Sequence, residues 1–372
     1  MQITKIEPFI LHVPIAQKQI ADSANSISHW GIVGAKIVTN NGIIGYGYTA
    51  THAQAAGDRA IANVISDALT PQLIGKNPIE VNRLWHKMFN QANLRWVGRA
   101  GIVHLAIGAV DVALWDIRAK NAEQPLWQHL GGSTCDELEA YNTDIGWLSN
   151  PTDSLISQAQ HAVNQKGFRR IKLKVGQKNP SDDVARIKAV RKAVGPKTSI
   201  AVDANGNWDL PTAIRFCKLA EDLDIFWLEE PLWYDDVESH ARLNQISSIP
   251  IALGEQLYSI DAFNLFFQNN AMSFAQPDVT RLAGISEYLR VADAAYAKWM
   301  PVVAHVGDMG QVHVHLSFFH EMSTMLEYLP WIAHCFEEPI KVESGLYAKP
   351  QMPGAGTTLL GSALDQYGVS IR

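Results

Sequence analysis

Cysteine is scarce in this 372-residue chain: Cys135, Cys217 and Cys335 stand far apart, with no CxxC spacing. That pattern speaks against a disulfide framework and a thiolate zinc site. No apolar run approaches the length of a membrane span. The opening MQITKIEPFILHVPIA lacks a basic head followed by a long apolar core, so it reads as a strand rather than a signal peptide. Positive charge is not in excess. With 31 Lys and Arg against 37 Asp and Glu, the net charge of −6 argues against nucleic acid or an anionic membrane as the main partner. A dinucleotide loop is missing too, because Gly45-x-Gly47 has no third glycine and no following helix. The expectation is a cytoplasmic globular protein of ordinary composition.

What is present divides in two. The first part holds strand-like runs, with Asn41-Gly42 between two β-rich stretches as a hairpin signal. Helical periods follow over 59–75, 78–91 and 100–122, the last apolar on most sides. These predict an α+β unit over 1–127. From residue 128 the rhythm changes. Short β-rich runs at 138–143, 169–175, 199–205, 225–231, 249–255, 274–279, 300–306 and 323–328 alternate with helical stretches. Eight such strands predict a parallel sheet closed into a modified TIM barrel, (β/α)7β, over 128–340, with a doubly wound open sheet as the alternative. The loop-rich remainder, 341–372, is expected to return to the N-terminal unit.

The predicted strands end in charge. Lys172 and Lys174 lie two apart and so share a face. Asp203 and Asn205 end the third strand, Glu229 and Glu230 the fourth, Glu255 the fifth, Asp278 the sixth, His305 the seventh and Glu327 the eighth. Each has a bland reading: solvated lysines, a helix cap at Asp203-x-Asn205, a structural histidine. The joint pattern carries more. Asp203, Glu229 and Glu255 are spaced by 26 residues each time, one βα unit, which places them on neighbouring strands. Three converging carboxylates repel one another unless a cation neutralises them. Oxygen ligands without Cys or His suit Mg²⁺. Such an ion can hold a substrate carboxylate and stabilise the charge formed when the adjacent C–H is deprotonated. Lys174 would then be a neutral base with a lowered pKa, Lys172 would raise the local potential, and Asp278 would steady His305 as an acid on the opposite face.

In this order and spacing, the residues resemble the enolase superfamily, mandelate racemase-like subgroup, over nearly the whole chain. GAVDVALWDIRAK and the LGG at 130–132 resemble its domain junction. The resemblance implies an N-terminal capping domain on the barrel. It also implies Mg²⁺ on Asp203, Glu229 and Glu255, an acid/base pair of Lys174 and His305, and Asp278 orienting His305. Glu327 would bond the substrate carboxylate, and Arg281 would stand as a cation beyond Asp278. Stretches such as YNTDIGWL, VDANGNWD and EEPLWYDDVESHARL are similar to acid-sugar dehydratases of the talarate/galactarate type. This implies a sugar acid or diacid as substrate, a racemase, epimerase or cycloisomerase as the alternative, and a silent sugar-acid binding protein as the non-enzyme alternative. A homo-oligomer is also implied. The loop after His305 is about two residues longer than in those dehydratases. The stretches 21–30 and 49–53 are the expected lid loops. Asn205, His29, Trp30, His52, Arg95 and Arg99 are candidates to meet substrate.

Overall fold

A computed structural model describes residues 1–16, 19–307 and 309–371. Asp308, in the stretch after His305 that the sequence reading takes as longer, lies outside them. Strands Ile3–Pro14, His29–Thr39 and Ile44–Thr51 form an antiparallel sheet with His29–Thr39 in the centre. The Asn41-Gly42 hairpin joins the last two, and Gly42 supplies the positive φ of 90° that the turn requires. The sheet packs on the buried helix Ile102–Asn121. Gly45 and Gly47 permit the close approach: a Cβ on Gly47 would lie 2.1 Å from the Ala109 carbonyl oxygen. The period predicted over 59–75 is realised with a break, as a π-helical turn at Val64–Leu69 interrupts the α-helix.

Parallel strands Leu138–Asn142, Arg170–Lys174, Ser199–Asp203, Ile225–Glu229, Ile251–Leu253 and Phe274–Ala275 pair in sequence order. Strand Met325–Tyr328 pairs with the first of them, wrapping the sheet towards closure. The seventh position differs from expectation. Residues 300–306 make only one parallel bridge, Val302 to Ala275, because neither Pro301 nor Pro277 on the neighbouring strand has an N–H to extend the ladder. A helix follows each of the first seven positions, from Thr152–Asn164 to Gly310–Phe319. The architecture is an N-terminal capping domain on a C-terminal α/β barrel.

The C-terminal segment serves both parts. Leu346–Tyr347 adds antiparallel to Leu138–Asn142 of the barrel, a pairing the sequence reading did not include. Further on, Ala355 N–H donates to Asp116 and Val369 N–H to the Ile10 carbonyl, both in the cap. No helix among the described residues is long and apolar enough to cross a membrane.

Candidate active site

Side chains two apart on a strand share a face. Ala201, Trp227, Val303 and Met325 join Tyr141 and Ala252 in a small core inside the barrel. Two residues further along, the same faces carry Asp203, Glu229, His305 and Glu327. Register sets Lys174 beside Asp203, and Asp203 beside Glu229. The candidate site therefore rests on the interior core at the C-terminal strand ends. Ile171, Leu173 and Val175 face the other way, into the main hydrophobic core.

Lys172 is 1% exposed and is not a surface lysine. Its Nζ lies 2.6 Å from Glu229 Oε1, 2.8 Å from Glu327 Oε1 and 3.6 Å from Asp203 Oδ2. Lys174 Nζ donates to Asp203 Oδ2 at 2.5 Å and to Asn205 Oδ1 at 3.1 Å. His305 spans the other side, with Nε2 3.1 Å from Glu255 Oε2 and Nδ1 2.8 Å from Asp278 Oδ2. Thr280 N–H holds Asp278 Oδ1 at 2.7 Å, and Val306 N–H holds Glu327 Oε2 at 3.0 Å. Glu229 Oε2 accepts from Trp227 Nε1 at 3.1 Å and from Gln276 Nε2 at 2.7 Å.

These contacts set the protonation. Burial alone would lower the Lys174 ammonium, yet Asp203, Asp22 and Glu255 together raise the group above its ordinary value. In the protein's own field, without a cation, the strongest charged neighbour of Lys174 is the Asp203 carboxylate. Burial pushes Glu229 up to about 7 against the pull of Lys172, and Asp203, Glu327 and Glu255 push the same way. Burial also raises Glu230, reinforced by Glu255 and Asp203. His305 is raised to about 9, since Glu255 and Asp278 outweigh its burial.

Asp203, Glu229 and Glu255 each bring an oxygen within 4.8 Å of the others. Glu230, at φ 39°, adds a buried Oε1 with no hydrogen-bond partner. A crowded set of mutually repelling hard oxygens fits a divalent cation such as Mg²⁺.

The cluster opens into a cavity of about 410 Å³. Lys174, Asn205, Glu255, Asp278, Arg281, His305 and Glu327 line it from the barrel, and Trp30 and His52 from the cap. His52 stacks on Trp30 with centroids 4.9 Å apart. Three candidates lie elsewhere. His29 precedes Trp30 on a strand, so it faces the opposite way and lines a separate hollow with His12 and Tyr367. Arg99 and Arg95 line a surface hollow beside Trp96. Both expected lid stretches contribute to the lining, through Asp22, Asn25 and Ile27 and through Ala50 and Thr51. Sequence reasoning missed Thr143, Trp147, Tyr234 and Gln256, which reach the cavity from loops without any periodic signal. Gln276 was legible in principle, because it lies two before Asp278.

Fold and site together define a capped α/β barrel whose converging carboxylates sit between a lysine and a histidine. Residues 154–363 match the family model Enolase C-terminal domain-like, and residues 5–131 match Mandelate racemase / muconate lactonizing enzyme, N-terminal domain. The chain belongs to the mandelate racemase/muconate lactonizing enzyme family of the enolase superfamily. It is 34% identical over 357 residues to L-talarate/galactarate dehydratase of Salmonella typhimurium, covering 94% of this chain and 86% of that enzyme. It is 30% identical over 359 residues to 3,6-anhydro-alpha-L-galactonate cycloisomerase of Streptomyces coelicolor, covering 96% and 97%. The crystal structure of L-talarate dehydratase from Polaromonas sp. JS666, complexed with Mg and L-glucarate, superposes with a TM-score of 0.90 at 34% identity, covering 99% of this chain and 98% of that one.

Proposed function

We propose that this protein is a Mg²⁺-dependent dehydratase of a sugar acid. The observation that carries the reading is the flanking of one carboxylate cluster by two proton-transfer groups: Lys174 on Asp203 and His305 on Glu255. Asp203, Glu229 and Glu255 would hold the cation. Bound there, Mg²⁺ would stabilise the extra negative charge that develops when the proton α to the substrate carboxylate is removed.

The remaining roles fall to the chain's own residues. Asp203 is the partner that keeps Lys174 charged, so Lys174 becomes a base once that carboxylate is engaged elsewhere. Neutral Lys174 Nζ takes the α-proton. Lys172 adds positive potential, and it holds Glu327 in place beside the reacting centre. The electron pair of the broken C–H bond forms the C=C bond as the β C–O bond breaks. His305 Nε2 gives its proton to the departing hydroxyl, which leaves as water, while Asp278 fixes Nδ1. The enol then tautomerises to a 2-keto-3-deoxy acid.

The test is a semicarbazide screen of the purified protein with Mg²⁺ against mono- and dicarboxylic sugar acids. A keto product that disappears with EDTA and with Lys174→Ala supports dehydration. The named cycloisomerase relative favours a second reading, in which the same pair moves a proton and no hydroxyl is lost as water. Exchange of the α-proton in D₂O without keto product would select a racemase or epimerase. Ligand binding that survives Lys174→Ala and His305→Asn as the only activity would leave a binding protein.

A further inference from the structure

The carboxylates at the barrel's strand ends are ion-paired, with one exception. Asp203 is held by Lys174 and Lys172, Glu229 and Glu327 by Lys172, and Glu255 and Asp278 by His305. Glu230 has no such pair among the described residues. It is 2% exposed, and its Oε1 has no hydrogen-bond partner either. An acceptor buried without a partner is costly, and a buried unpaired charge is more so. Such a group calls for an explanation.

The backbone fixes its place. Glu230 follows strand Ile225–Glu229 and precedes Pro231. Its N–H donates to the Ala252 carbonyl at 2.9 Å, and its own carbonyl accepts from Gly206 N–H at 2.8 Å. Held from both neighbouring strands, it keeps a φ of 39°, a region that L side chains seldom adopt. The residue lines the main cavity together with Asn205, Glu255 and Lys174. The charges acting on it most are Glu255, Asp203 and Glu229, ahead of Lys174. Glu230 thus stands at the carboxylate cluster, yet the three mutually close oxygens belong to Asp203, Glu229 and Glu255 without it.

We infer that Glu230 is a fourth carboxylate of the cation centre, acting from outside the ligand set by accepting a hydrogen bond from water that the cation carries. This rests on the reading of Asp203, Glu229 and Glu255 as cation ligands. Mg²⁺ gives up water reluctantly and is bound by few protein carboxylates, so several of its positions hold water until a substrate arrives. Water on a dication is a strong donor and needs acceptors. An ionised carboxylate only accepts, and Glu230 Oε1 is still free to do so. The three ligands are shared with Lys172, Lys174 and His305, whereas Glu230 is not engaged by a cationic side chain. Partners of this kind orient what the metal carries and contribute about 10–100-fold to its affinity. Glu230 is therefore a positioning residue.

The experiment is calorimetric titration of the full chain with Mg²⁺ at pH 8, without substrate. Glu230→Leu removes the acceptor, and Glu230→Gln keeps an acceptor oxygen but not the charge. The Kd for Mg²⁺ should rise by about 10–100-fold in Glu230→Leu and by less in Glu230→Gln. Without Mg²⁺, neither variant should have a lower denaturation midpoint than the parent, because each relieves a buried unpaired group. A midpoint that falls along with the affinity would make Glu230 a structural residue and overturn the inference. Loading with Mn²⁺ in ¹⁷O-enriched water counts the waters on the ion by EPR line broadening. The count should be the same in Glu230→Leu as in the parent, and one extra water in the variant would make Glu230 a direct ligand instead. Unchanged Mg²⁺ affinity in both variants overturns the inference and leaves dehydration standing. If the affinity falls as expected but the parent gives no keto product from any acid, the dehydratase reading fails and the inference stands. A parent that binds no Mg²⁺ removes both.

Discussion

Lys174 Nζ lies 2.5 Å from Asp203 Oδ2, so the proposed base is ion-paired to a proposed ligand of the cation. The two positive charges compete for one carboxylate. Lys174→Met removes the competitor while leaving Glu229 and Glu255 in place. Mg²⁺ affinity measured by calorimetry should rise several-fold, and its dependence on pH should flatten. Weaker Mg²⁺ binding by this variant would show that Lys174 supports the metal site instead of opposing it.

Lys172 is buried, with Glu229 and Glu327 both within 2.8 Å of its Nζ. Lys172→Met strands two buried carboxylates, and losing one partner of a buried pair costs about 3–5 kcal/mol. Chemical denaturation should register a loss of that order without Mg²⁺ and a smaller one with it, since the cation neutralises the same carboxylates. An unchanged midpoint would contradict the account.

His305 must carry a proton to act as the acid, and Asp278 helps keep it there against burial. Activity should therefore fall as pH rises through the His305 pKa. Asp278→Asn lowers that pKa, so the alkaline limb of kcat should move to lower pH. His305→Asn should retain α-proton exchange in D₂O and lose keto product by about 10²–10⁴-fold. A limb that stays in place in Asp278→Asn would remove Asp278 from this role.

Asp111, buried on the long cap helix, has its carboxyl pushed up to about 7 by burial, even though it accepts from Ser286 N–H at 2.9 Å and Ser286 Oγ at 2.8 Å. The folded state thus binds the proton more tightly than the unfolded one. Its stabilising share is full below the unfolded carboxylate pKa and is lost as pH rises towards 7. The slope is about 1.4 kcal/mol per pH unit. Asp111→Asn should be more stable than the parent at pH 8, with the gap closing near pH 4. A gap of constant size would show that the carboxyl does not titrate in this window.

Gly47 tests the cap. A Cβ there would meet Ala109 O at 2.1 Å and Ala113 N at 2.3 Å, both backbone atoms of a buried helix. Gly47→Ala should cost at least about 1–3 kcal/mol by overpacking, read as a lower thermal midpoint.

Much of the site was legible because chemistry and spacing coincided. The repeated 26-residue step from Asp203 to Glu229 to Glu255 encoded neighbouring strands before any coordinates were known, and Lys172-x-Lys174 encoded a shared face. What was not legible depends on three-dimensional context. The seventh strand is reduced to a bridge by Pro301 and Pro277, although its sequence reads as β-rich. The parity of a strand turns His29 away while Trp30 points inward. Arg99 sits in a loop, where neither period nor parity says which way a side chain faces. The 2.5 Å contact of Lys174 with Asp203 was not legible either, because strand order places the two side by side without saying which side chains pair.

The C-terminal segment has a consequence for how the chain is made. Thr357 donates to the Tyr46 carbonyl and Arg59 to the Ser370 carbonyl, and each pair is separated by 311 residues. Contacts this distant in sequence form slowly. On the ribosome, the cap sheet would wait, its edge incomplete, until the entire barrel had been synthesised. The cap strands are therefore made before the barrel but sealed after it, and during that interval they are exposed to chaperones and to misassociation.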